Sequence, residues 1–282
     1  MTDVGTVIAR GNVAVVTGGA SGIGLAVAEQ LIARGMRVAL ADIDDAKLRA
    51  VTARLTEGGA DVLGHACDTS SAQSMGDFAD AVLTRFGAAH LLFNNAGIAG
   101  VGDAWGGTLD LWDRVIGVNL YGVIHGIRAF LPIMEQQGSG HIVNTASMAG
   151  LTPVPGLAPY AATKHAVVGL SESLYLEQQA GGSPIGVSVL CPGFVKTDLM
   201  VSEPTTVNAP IAQLIAGVLA AGVDNGIPAA GVAGRLVEAV DARQFWILTH
   251  DDMAQIPVER MLRASTQTNP TALGAAAESE VT

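Results

Sequence analysis

A tyrosine and a lysine four residues apart, Tyr160 and Lys164, are the side chains of this sequence best suited to acid–base chemistry. Residues i and i+4 share one face of a helix, so the ammonium is expected near the phenol. A free phenol has a pKa of about 10, and a neighbouring cation lowers it. The pair therefore predicts a tyrosine with a lowered pKa that exchanges a proton with an alcohol or a carbonyl. The same spacing also occurs by chance at the exposed start of an ordinary helix.

A serine stands 13 residues before Tyr160 and follows an apolar segment that is predicted to be a strand. We expect the hydroxyl of this residue, Ser147, to hold the substrate oxygen by a hydrogen bond. A role as nucleophile is not favoured, because the sequence contains neither a Gly-x-Ser-x-Gly elbow nor a paired acid and histidine. Ser147 and Tyr160 together predict a site for proton transfer rather than for acyl transfer.

A glycine-rich segment, TGGASGIG at Thr17–Gly24, lies between the first predicted strand and the first predicted helix. At this position the backbone amides and the helix N-terminus can bind a pyrophosphate. We expect Gly18 to make the turn, Gly22 to allow close approach of the phosphates, and Gly24 to let the helix pack on the sheet. The spacing is G-x3-G-x-G, and glycines that serve only a tight turn are the alternative.

A carboxylate, Asp42, ends the second predicted strand 18 residues after Gly24. Such a carboxylate can accept hydrogen bonds from both ribose hydroxyls of an adenosine, and it would repel a 2′-phosphate. No arginine stands at this position or just after it, so NAD is favoured over NADP as the cofactor. Asp42 could instead cap the following helix, although Asp44 or Asp45 fits that role better.

These residues must be positioned by the elements around them, and strand-like and helix-like segments alternate along the chain. The strands are predicted at 13–17, 37–42, 61–68, 90–97, 141–147, 186–193 and 245–249. The helices are predicted at 23–35, 45–55, 71–87, 109–137 (kinked or ended by Pro132) and 160–179. Because the strands are continuous apolar runs, they indicate a buried parallel sheet. The fold class is therefore α/β, a single-domain Rossmann-type doubly wound parallel sheet with helices on both faces.

This domain is predicted to span 1–251 and to include the substrate cleft, with a substrate loop or helix at about 197–226. Residues 252–282 lose the pattern and are expected to form a partly mobile C-terminal extension. Other polar strand ends should meet Asp42 at the carboxyl edge of the sheet, where such folds bind ligands. They are Asp68, which could contact adenine or cap the next helix, and Asn95-Ala96-Gly97.

Together these features resemble the short-chain dehydrogenase/reductase family over roughly Val13 to Asp198. The resemblance rests on TGGASGIG, Asp68, NNAG, Asn119 in GVNLYG, Ser147, YAATK and PGFVKT. It implies a catalytic tetrad of Asn119, Ser147, Tyr160 and Lys164. In that family the asparagine stabilises a kink in the long helix and holds a water that links the lysine to solvent. The lysine also holds the nicotinamide ribose.

The resemblance further implies the set of residues that contact the NAD cofactor. They are Gly18, Ser21, Gly22, Ile23, Gly24, Asp42, Ile43, Cys67, Asp68, Asn95, Ala96, Gly97, Tyr160, Lys164, Pro192, Gly193, Val195 and Thr197. In the family the two long helices, here 109–137 and 160–179, usually pair across subunits. A homodimer or homotetramer is therefore expected.

Composition and charge limit the partners that this chain can have. Its 282 residues are 49% hydrophobic and carry a formal net charge of −11, which argues against a nucleic-acid partner and weakly against anionic membranes. We predict no signal peptide, and the apolar window Ile211–Val223 is too short to span a bilayer. Cys67 and Cys191 form no CxxC, and the six histidines do not cluster at metal-binding spacing, so we expect no metal. A cytoplasmic protein is the default expectation.

The predicted function is that of an NAD-dependent oxidoreductase that interconverts a secondary alcohol and its ketone. Six residues near the catalytic motifs either line an apolar substrate cleft or pack in the core: Trp105, Met148, Val154, Leu157, Leu199 and Met200. An apolar or aromatic substrate is therefore favoured. A 3-oxoacyl-carrier-protein-type reductase is one alternative, which Asp42 and the acidic charge disfavour. A dinucleotide-sensing binding protein without turnover is the other.

Overall fold

The computed structural model describes residues 6–197, 199, 215, 217, 219, 221–222 and 224–270. A seven-stranded parallel sheet runs through it in the order β3–β2–β1–β4–β5–β6–β9, and β7 pairs with β8 in a small second sheet. The strands are β1 (Val13–Thr17), β2 (Arg37–Asp42), β3 (Val62–Ala66), β4 (Leu91–Asn94), β5 (His141–Thr145), β6 (Gly186–Cys191), β7 (Val195–Lys196), β8 (Ile227–Pro228) and β9 (Trp246–Leu248). The predicted α/β fold is confirmed.

Helices cover both faces of this sheet. They are α1 (Gly22–Ala33), α2 (Asp45–Glu57), α3 (Ala72–Phe86), α4 (Leu109–Ile116), α5 (Gly122–Gln137), α6 (Ala158–Ala180), α7 (Ala229–Asp241) and α8 (Gln255–Ser265). A π-helical turn, Gly117–Tyr121, joins α4 to α5, and a 3-10 turn, Met148–Gly150, follows β5. The strand order reverses between β1 and β4, which makes a crevice at their carboxyl ends where doubly wound folds bind ligands.

The core consists of two apolar layers, one on each face of the sheet. Alternate residues of β1 point to opposite faces, as the period of a strand requires. Ala14 and Val16 lie in a buried cluster with residues of α1, α2 and α7. Val13 and Val15 lie in a second cluster with residues of α3, α5 and α6. Both faces of β1 are therefore covered, which explains why this strand is a continuous apolar run.

Two strands are shorter than predicted, and polar residues follow the point where each of them ends. The segment 90–97 was expected to be one strand, but β4 ends at Asn94 and the next three residues leave the ladder. Likewise, β3 covers only Val62–Ala66 of the expected 61–68. At both places the backbone leaves the sheet at its carboxyl edge. The residues that the sequence placed at strand ends therefore lie in the loops that line the crevice.

The long helix at 109–137 is continuous, and Pro132 lies inside α5 without ending it. Its α-helical hydrogen bonding is interrupted instead at the π-helical turn, Gly117–Tyr121. Within the described part of the chain, this 29-residue helix alone is long and apolar enough to cross a membrane by length and composition. In this fold its inner side packs on the sheet, and it buries Val115, Val123, Phe130 and Met134.

The C-terminal extension contains a helix that the sequence pattern did not predict. This helix, α8, covers Gln255–Ser265 and buries none of its residues. Its side chains Val258, Met261 and Leu262 have the i, i+3, i+4 spacing of an amphipathic helix, although each is more than half exposed. The sequence therefore contained a helix signal that was missed. Residues 271–282 and most of the expected substrate segment, 197–226, lie outside the described residues.

Candidate active site

The crevice at the carboxyl edge is held together by a threonine at the end of β1 that the sequence did not single out. The Thr17 hydroxyl oxygen accepts hydrogen bonds from the backbone amides of Asn95 (2.9 Å) and Ala96 (3.1 Å). In return, the Asn95 side-chain amide donates to the carbonyls of Thr17 (3.1 Å) and Gly18 (3.3 Å). Asn95 therefore joins the glycine loop to the loop after β4, in addition to any contact with a cofactor.

The glycine loop has the shape that close approach of a phosphate requires. A Cβ on Gly24 would lie 2.1 Å from the Gly18 carbonyl oxygen, so only glycine fits there. Gly24 thus packs α1 against its own loop, whereas the sequence predicted packing against the sheet. Gly22 has a φ of +55° and faces Thr197, whose Cγ2 would be 3.1 Å from an added Cβ. The contact brings together two segments that are both expected to hold the cofactor.

The N-terminus of α1 opens into this loop. Its N-cap residue, Ser21, makes no capping hydrogen bond with its side chain. The first amides of a helix have no partner within the helix, and they carry the positive end of the helix dipole. Ile23, also expected at the cofactor, is partly buried and packs against the core on this face. Its contribution in this structure is to anchor the first turn of α1 beneath the loop.

Asp42 lies at the end of β2 and organises the backbone around the crevice. One carboxylate oxygen accepts from the Ala20 amide and the other from the Asp44 amide, each at 3.0 Å. Asp42 does not cap α2, because the Asp44 side chain accepts from the Lys47 amide and performs that role. The next residue, Ile43, is 68% exposed beside it. Asp42 thus fixes the glycine loop while presenting negative charge at the strand end.

The loop after β3 contains Asp68, and the structure contradicts one of the two roles predicted for this residue. Asp68 accepts hydrogen bonds from the Ser70 amide (2.9 Å) and the Ser70 hydroxyl (2.7 Å). The cap of α3 is Ser71, so the alternative that Asp68 caps this helix is wrong. Cys67 before it is buried as expected, and burial raises the pKa of its thiol. Asp68 shapes the turn and remains at the crevice.

Tyr160 lies in the first turn of α6, directly after Pro159, which suits the start of a helix. The Ser147 side chain lies near enough to its phenol to influence its acidity. Burial raises the pKa of Tyr160 above its ordinary value, and the interaction with Ser147 counteracts this only in part. The prediction that the protein's own groups lower the pKa of Tyr160 is therefore wrong. Desolvation of the phenolate raises this pKa by more than those groups lower it.

Lys164 is buried one turn along α6 from Tyr160, as the spacing predicted. Its ammonium lies 5.6 Å from the centroid of the Tyr160 ring and donates to the Thr145 carbonyl at 2.8 Å. Burial lowers the pKa of Lys164 to about 8. A Cβ on Gly97 would lie 3.6 Å from this nitrogen, so the lysine reaches the loop after β4.

Asn119 sits in the π-helical turn between α4 and α5 and is fully buried. Its side-chain oxygen accepts from the Ile98 amide, and its nitrogen donates to the Ile98 carbonyl, both at 2.9 Å. The nitrogen also lies 3.3 Å from the Thr163 hydroxyl in α6. Asn119 thus satisfies backbone groups of the loop that leads from β4 and holds this loop against the helix that carries Tyr160 and Lys164.

The loop after β6, Pro192-Gly193-Phe194, is bonded to the catalytic segment. The Ser147 hydroxyl donates to the Pro192 carbonyl at 3.4 Å, and the Met148 amide donates to the same oxygen at 2.9 Å. After this loop, Val195 belongs to β7 and pairs with Ile227 of β8. The expected nicotinamide-binding segment and the expected catalytic serine therefore form one connected unit.

The Tyr160 ring forms part of an apolar wall. A buried cluster of Val101, Leu157 and Ile215 packs with Val154, Leu219 and the tyrosine itself. Val154 and Leu157 were expected to line a substrate cleft, whereas the others come from distant segments and were missed. A continuous apolar stretch at 211–223 was the only sequence signal for Ile215 and Leu219, and it does not indicate what they face.

Among the described residues, the remaining candidates for the substrate cleft do not join this wall. Met148 is buried in a different cluster, with Val167, Val189 and Cys191, which is the core-packing alternative. Trp105 is 77% exposed and Leu199 is 43% exposed. Met200 lies outside the described residues. The position of a residue beside a catalytic motif therefore did not predict which side chains surround the phenol.

These features fit a nicotinamide dinucleotide. The glycine loop and the N-terminus of α1 suit a pyrophosphate, Asp42 suits an adenosine ribose, and Lys164 and Gly97 lie near the phenol at the other end. In chemical terms, the arrangement is a protonatable oxygen near a serine hydroxyl and backed by a buried cation, beside an apolar surface. Such a site can exchange a proton with a substrate oxygen.

Comparison with known proteins agrees with this arrangement. The sequence profile of the family described as short chain dehydrogenase matches residues 12–208. The chain is 33% identical to the CLA biosynthesis dehydrogenase/reductase of Lactiplantibacillus plantarum, over 90% of this chain and 93% of that protein. It is 40% identical to a 3-alpha-(or 20-beta)-hydroxysteroid dehydrogenase of Mycobacterium tuberculosis, over 67% of this chain and 71% of that protein.

A solved structure is similar over nearly the whole chain. It is a short chain dehydrogenase/reductase from Burkholderia phymatum in complex with NAD, with a TM-score of 0.89 and 40% sequence identity. The match covers 95% of this chain and 99% of that one. At this coverage the similarity extends past the strands and helices that carry the tetrad and includes the C-terminal part of the fold.

Proposed function

The chain belongs to the short-chain dehydrogenase/reductase family, and from this premise we propose that it is an NAD-dependent enzyme that interconverts a secondary alcohol and its ketone. The observation that carries the proposal is the Tyr160 phenol, which lies near Ser147, is backed by Lys164 and belongs to an apolar wall. Neither a purely structural helix start nor a binding surface requires a phenol beside a buried ammonium.

The reaction needs one proton transfer and one hydride transfer. The bound dinucleotide supplies the hydride acceptor for the alcohol, or the hydride donor for the ketone. Tyr160 takes the proton from the alcohol oxygen, or gives it to the ketone oxygen, at its phenolic oxygen. Because burial raises the pKa of Tyr160, the phenol is protonated at neutral pH. This state is the one that proton donation to a ketone requires.

The other members of the tetrad orient and charge the site. The Ser147 hydroxyl, which donates to the Pro192 carbonyl and lies near Tyr160, holds the substrate oxygen against the phenol. Lys164 places a buried cation behind the tyrosine, where it favours the phenolate form in the transition state. Asn119 bonds to Ile98 in the loop after β4 and to Thr163 in α6. It thereby holds this loop against α6 and keeps the catalytic helix in position.

We propose NAD rather than NADP as the cofactor because of Asp42. Its carboxylate is held at the end of β2 by the Ala20 and Asp44 amides, so it cannot easily turn away from an adenosine ribose. A fixed negative charge at this place disfavours a 2′-phosphate and accepts hydrogen bonds from ribose hydroxyls. The similar structure from Burkholderia phymatum contains NAD, which supports this choice.

The substrate that we propose is apolar or aromatic. The wall beside Tyr160 is formed by Val101, Leu157 and Ile215, which are nearly fully buried. Apolar walls with a few polar groups at one end select ligands by shape and leave a hydroxyl or carbonyl to the polar groups. The similarity to a hydroxysteroid dehydrogenase supports a bulky apolar alcohol.

We also propose that the protein is a homodimer or homotetramer. The two long helices that the family resemblance implicates in pairing each present large apolar side chains to solvent. Leu109 and Tyr121 are 79% and 51% exposed on the first helix, and Leu176 is 61% exposed on the second. Burying these side chains against a second subunit is favourable.

The test is a panel of secondary alcohols and ketones of increasing apolar size, assayed with NAD(H) and with NADP(H) by absorbance of the reduced cofactor. We expect turnover of bulky apolar or aromatic substrates and an efficiency with NAD at least about tenfold higher than with NADP. A preference for NADP together with turnover of 3-oxoacyl thioesters would favour the carrier-protein-type reductase. Tight NADH binding without turnover of any substrate would favour a dinucleotide-sensing protein.

A further inference from the structure

We propose that His250 is a positioning residue that holds the loop Pro192-Gly193-Phe194 in the shape that receives the nicotinamide end of the cofactor. The inference rests on the proposed function, since it concerns a loop of the same site. His250 follows β9, the last strand of the sheet, and is 57 residues distant from Gly193 in the chain. In the sequence it is one of six histidines that do not cluster at metal-binding spacing.

Both ring nitrogens of His250 bond to the backbone of this loop. The Gly193 amide donates to Nδ1 at 3.1 Å, and Nε2 lies 3.1 Å from the Phe194 carbonyl oxygen. Since a carbonyl oxygen only accepts, Nε2 must carry the proton, and Nδ1 must be bare to accept from the amide. The two contacts therefore require the neutral Nε2–H tautomer. The ring clamps two consecutive peptide groups of the loop.

The clamp acts at close range. A Cβ on Gly193 would lie 2.9 Å from the Cγ atom of His250, so the glycine lets the ring lie directly against the backbone. One residue earlier, the Pro192 carbonyl oxygen lies 3.4 Å from the Ser147 hydroxyl. The loop is thus held by the catalytic serine at one end and by His250 at the other.

The same loop supports the segment that carries the apolar wall. The Phe194 carbonyl oxygen that contacts His250 also accepts from the Ile227 amide at 3.1 Å. The Phe194 ring lies against Gly222, where it occupies the place that a Cβ would take. A shift of Phe194 would therefore move residues that follow Ile215 and Leu219. His250 fixes the nicotinamide loop and the edge of the substrate wall at once.

The chain contains a matched control at the opposite edge of the sheet. The Nδ1 atom of His90 accepts from the Val13 amide at 3.1 Å, the same kind of bond at the same length. His90 precedes β4 at the amino edge and takes no part in the crevice. Replacing it by asparagine tests the general effect of losing such a ring.

The experiment measures binding of NADH and of ADP-ribose, which lacks the nicotinamide, to the full chain by calorimetry at neutral pH. We expect His250→Leu to weaken NADH by about tenfold and to change ADP-ribose by less than about twofold, because one pair of loop contacts is lost. His250→Asn, whose side-chain oxygen can accept from Gly193, should recover NADH binding to within about threefold. His90→Asn should leave both ligands unchanged. Thermal melts of all variants report on folding.

Equal weakening of ADP-ribose and NADH in His250→Leu would overturn the proposal, and so would a failure of His250→Asn to recover NADH binding. Since binding decides these outcomes, absence of alcohol turnover would overturn the proposed function alone.

Discussion

At the amino edge of the sheet, the buried polar side chains bond to neighbouring strands, whereas at the carboxyl edge they lie around the Tyr160 phenol. His141, at the start of β5, is bonded through Nε2 to the Ser188 hydroxyl at 2.7 Å. That hydroxyl donates to the Gln244 carbonyl at 2.6 Å, which ties β5 and β6 to the segment before β9. At the other edge, Tyr160 and Lys164 lie beside glycines and an apolar wall.

Burial acts in the same direction at both edges, but its consequences differ. It lowers the pKa of His141 to about 3, so the imidazole is neutral at every ordinary pH and serves only as a link. It lowers the pKa of Lys164 to about 8, so the ammonium stays largely charged at neutral pH. His141 at the amino edge therefore contributes to the stability of the fold. At the carboxyl edge, the charged Lys164 lowers the free energy of unfolding. This difference can be tested by substitution at each edge.

The largest effect is expected from Tyr160→Phe, which removes only the proton-transferring oxygen. We expect kcat to fall by about 10³-fold or more, since general acid–base catalysis contributes on this scale, while NADH binding stays nearly unchanged. Tyr175→Phe, further along the same helix, is the matched control, because that hydroxyl only accepts from Gln179. Its kcat should stay within about twofold. Full activity of Tyr160→Phe would contradict the proposed mechanism.

The next effect is that of Lys164→Met, which replaces the buried ammonium by an apolar side chain of similar length. Activity should fall by about 10²-fold, because the phenolate form of Tyr160 loses its cation. The free energy of unfolding at neutral pH should rise by about 1 kcal/mol, because the lowered pKa of Lys164 means that its charged form is destabilised in the fold.

Steady-state kinetics and denaturant titration check both halves of this prediction. The exposed Lys47 of α2 provides the control, and Lys47→Met should change neither quantity appreciably. If Lys164→Met lowered the free energy of unfolding as well as the activity, the buried ammonium would stabilise the fold, as His141 does at the amino edge.

A smaller effect is expected at the amino edge from His141→Gln. The pKa of His141 is about 3 in the folded protein against an ordinary value of 6.5. Between these values the unfolded chain binds more protons, so the stability present above pH 6.5 is lost as the pH falls towards 3. From neutral pH to about pH 5, the wild type should lose about 2 kcal/mol more of its free energy of unfolding than the variant.

Denaturant titrations across this pH range measure the difference. NADH binding at neutral pH serves as the control for the crevice, and it should be unchanged in His141→Gln. Parallel stability curves for the two proteins would show that His141 is not the group whose protonation opposes folding.

The smallest effect is that of Asp42→Asn, which tests the cofactor end of the carboxyl edge. The amide keeps an acceptor for the Ala20 or Asp44 amide but loses the charge that repels a 2′-phosphate. We expect the ratio of kcat/KM with NAD to that with NADP to fall by about tenfold. In Asp44→Asn the ratio should stay constant, because asparagine caps a helix as well as aspartate does. An unchanged ratio in Asp42→Asn would remove Asp42 as the selecting residue.

Much of the fold was predictable because its signals are local. Continuous apolar runs predicted the parallel strands, and the glycine loop between β1 and α1 predicted the crevice at their carboxyl ends. The spacing of Tyr160 and Lys164 predicted a shared helix face. Asp44 was correctly favoured as the cap of α2, since capping involves only residues two or three apart.

What the sequence did not predict depends on contacts between distant segments. Thr17 bonds to residues 78 and 79 positions away, and nothing in its neighbourhood indicates this. Ile215 belongs to the apolar wall only because its segment folds over Tyr160. The helix α8 carries Val258, Met261 and Leu262 at helical spacing, but none of its residues is buried, so this pattern does not reveal what the helix contacts.

By itself, the sequence determined which chemical groups the protein has and which of them are neighbours along one strand, turn or helix. It thereby determined the parallel sheet, the glycine loop and the tyrosine–lysine pair. Only the tertiary structure decided the pKa of Tyr160, which burial raises against the expectation from the lysine alone. It also decided that His250 meets Gly193. Burial and long-range contacts arise from the packing of the whole chain, and local spacing does not contain them.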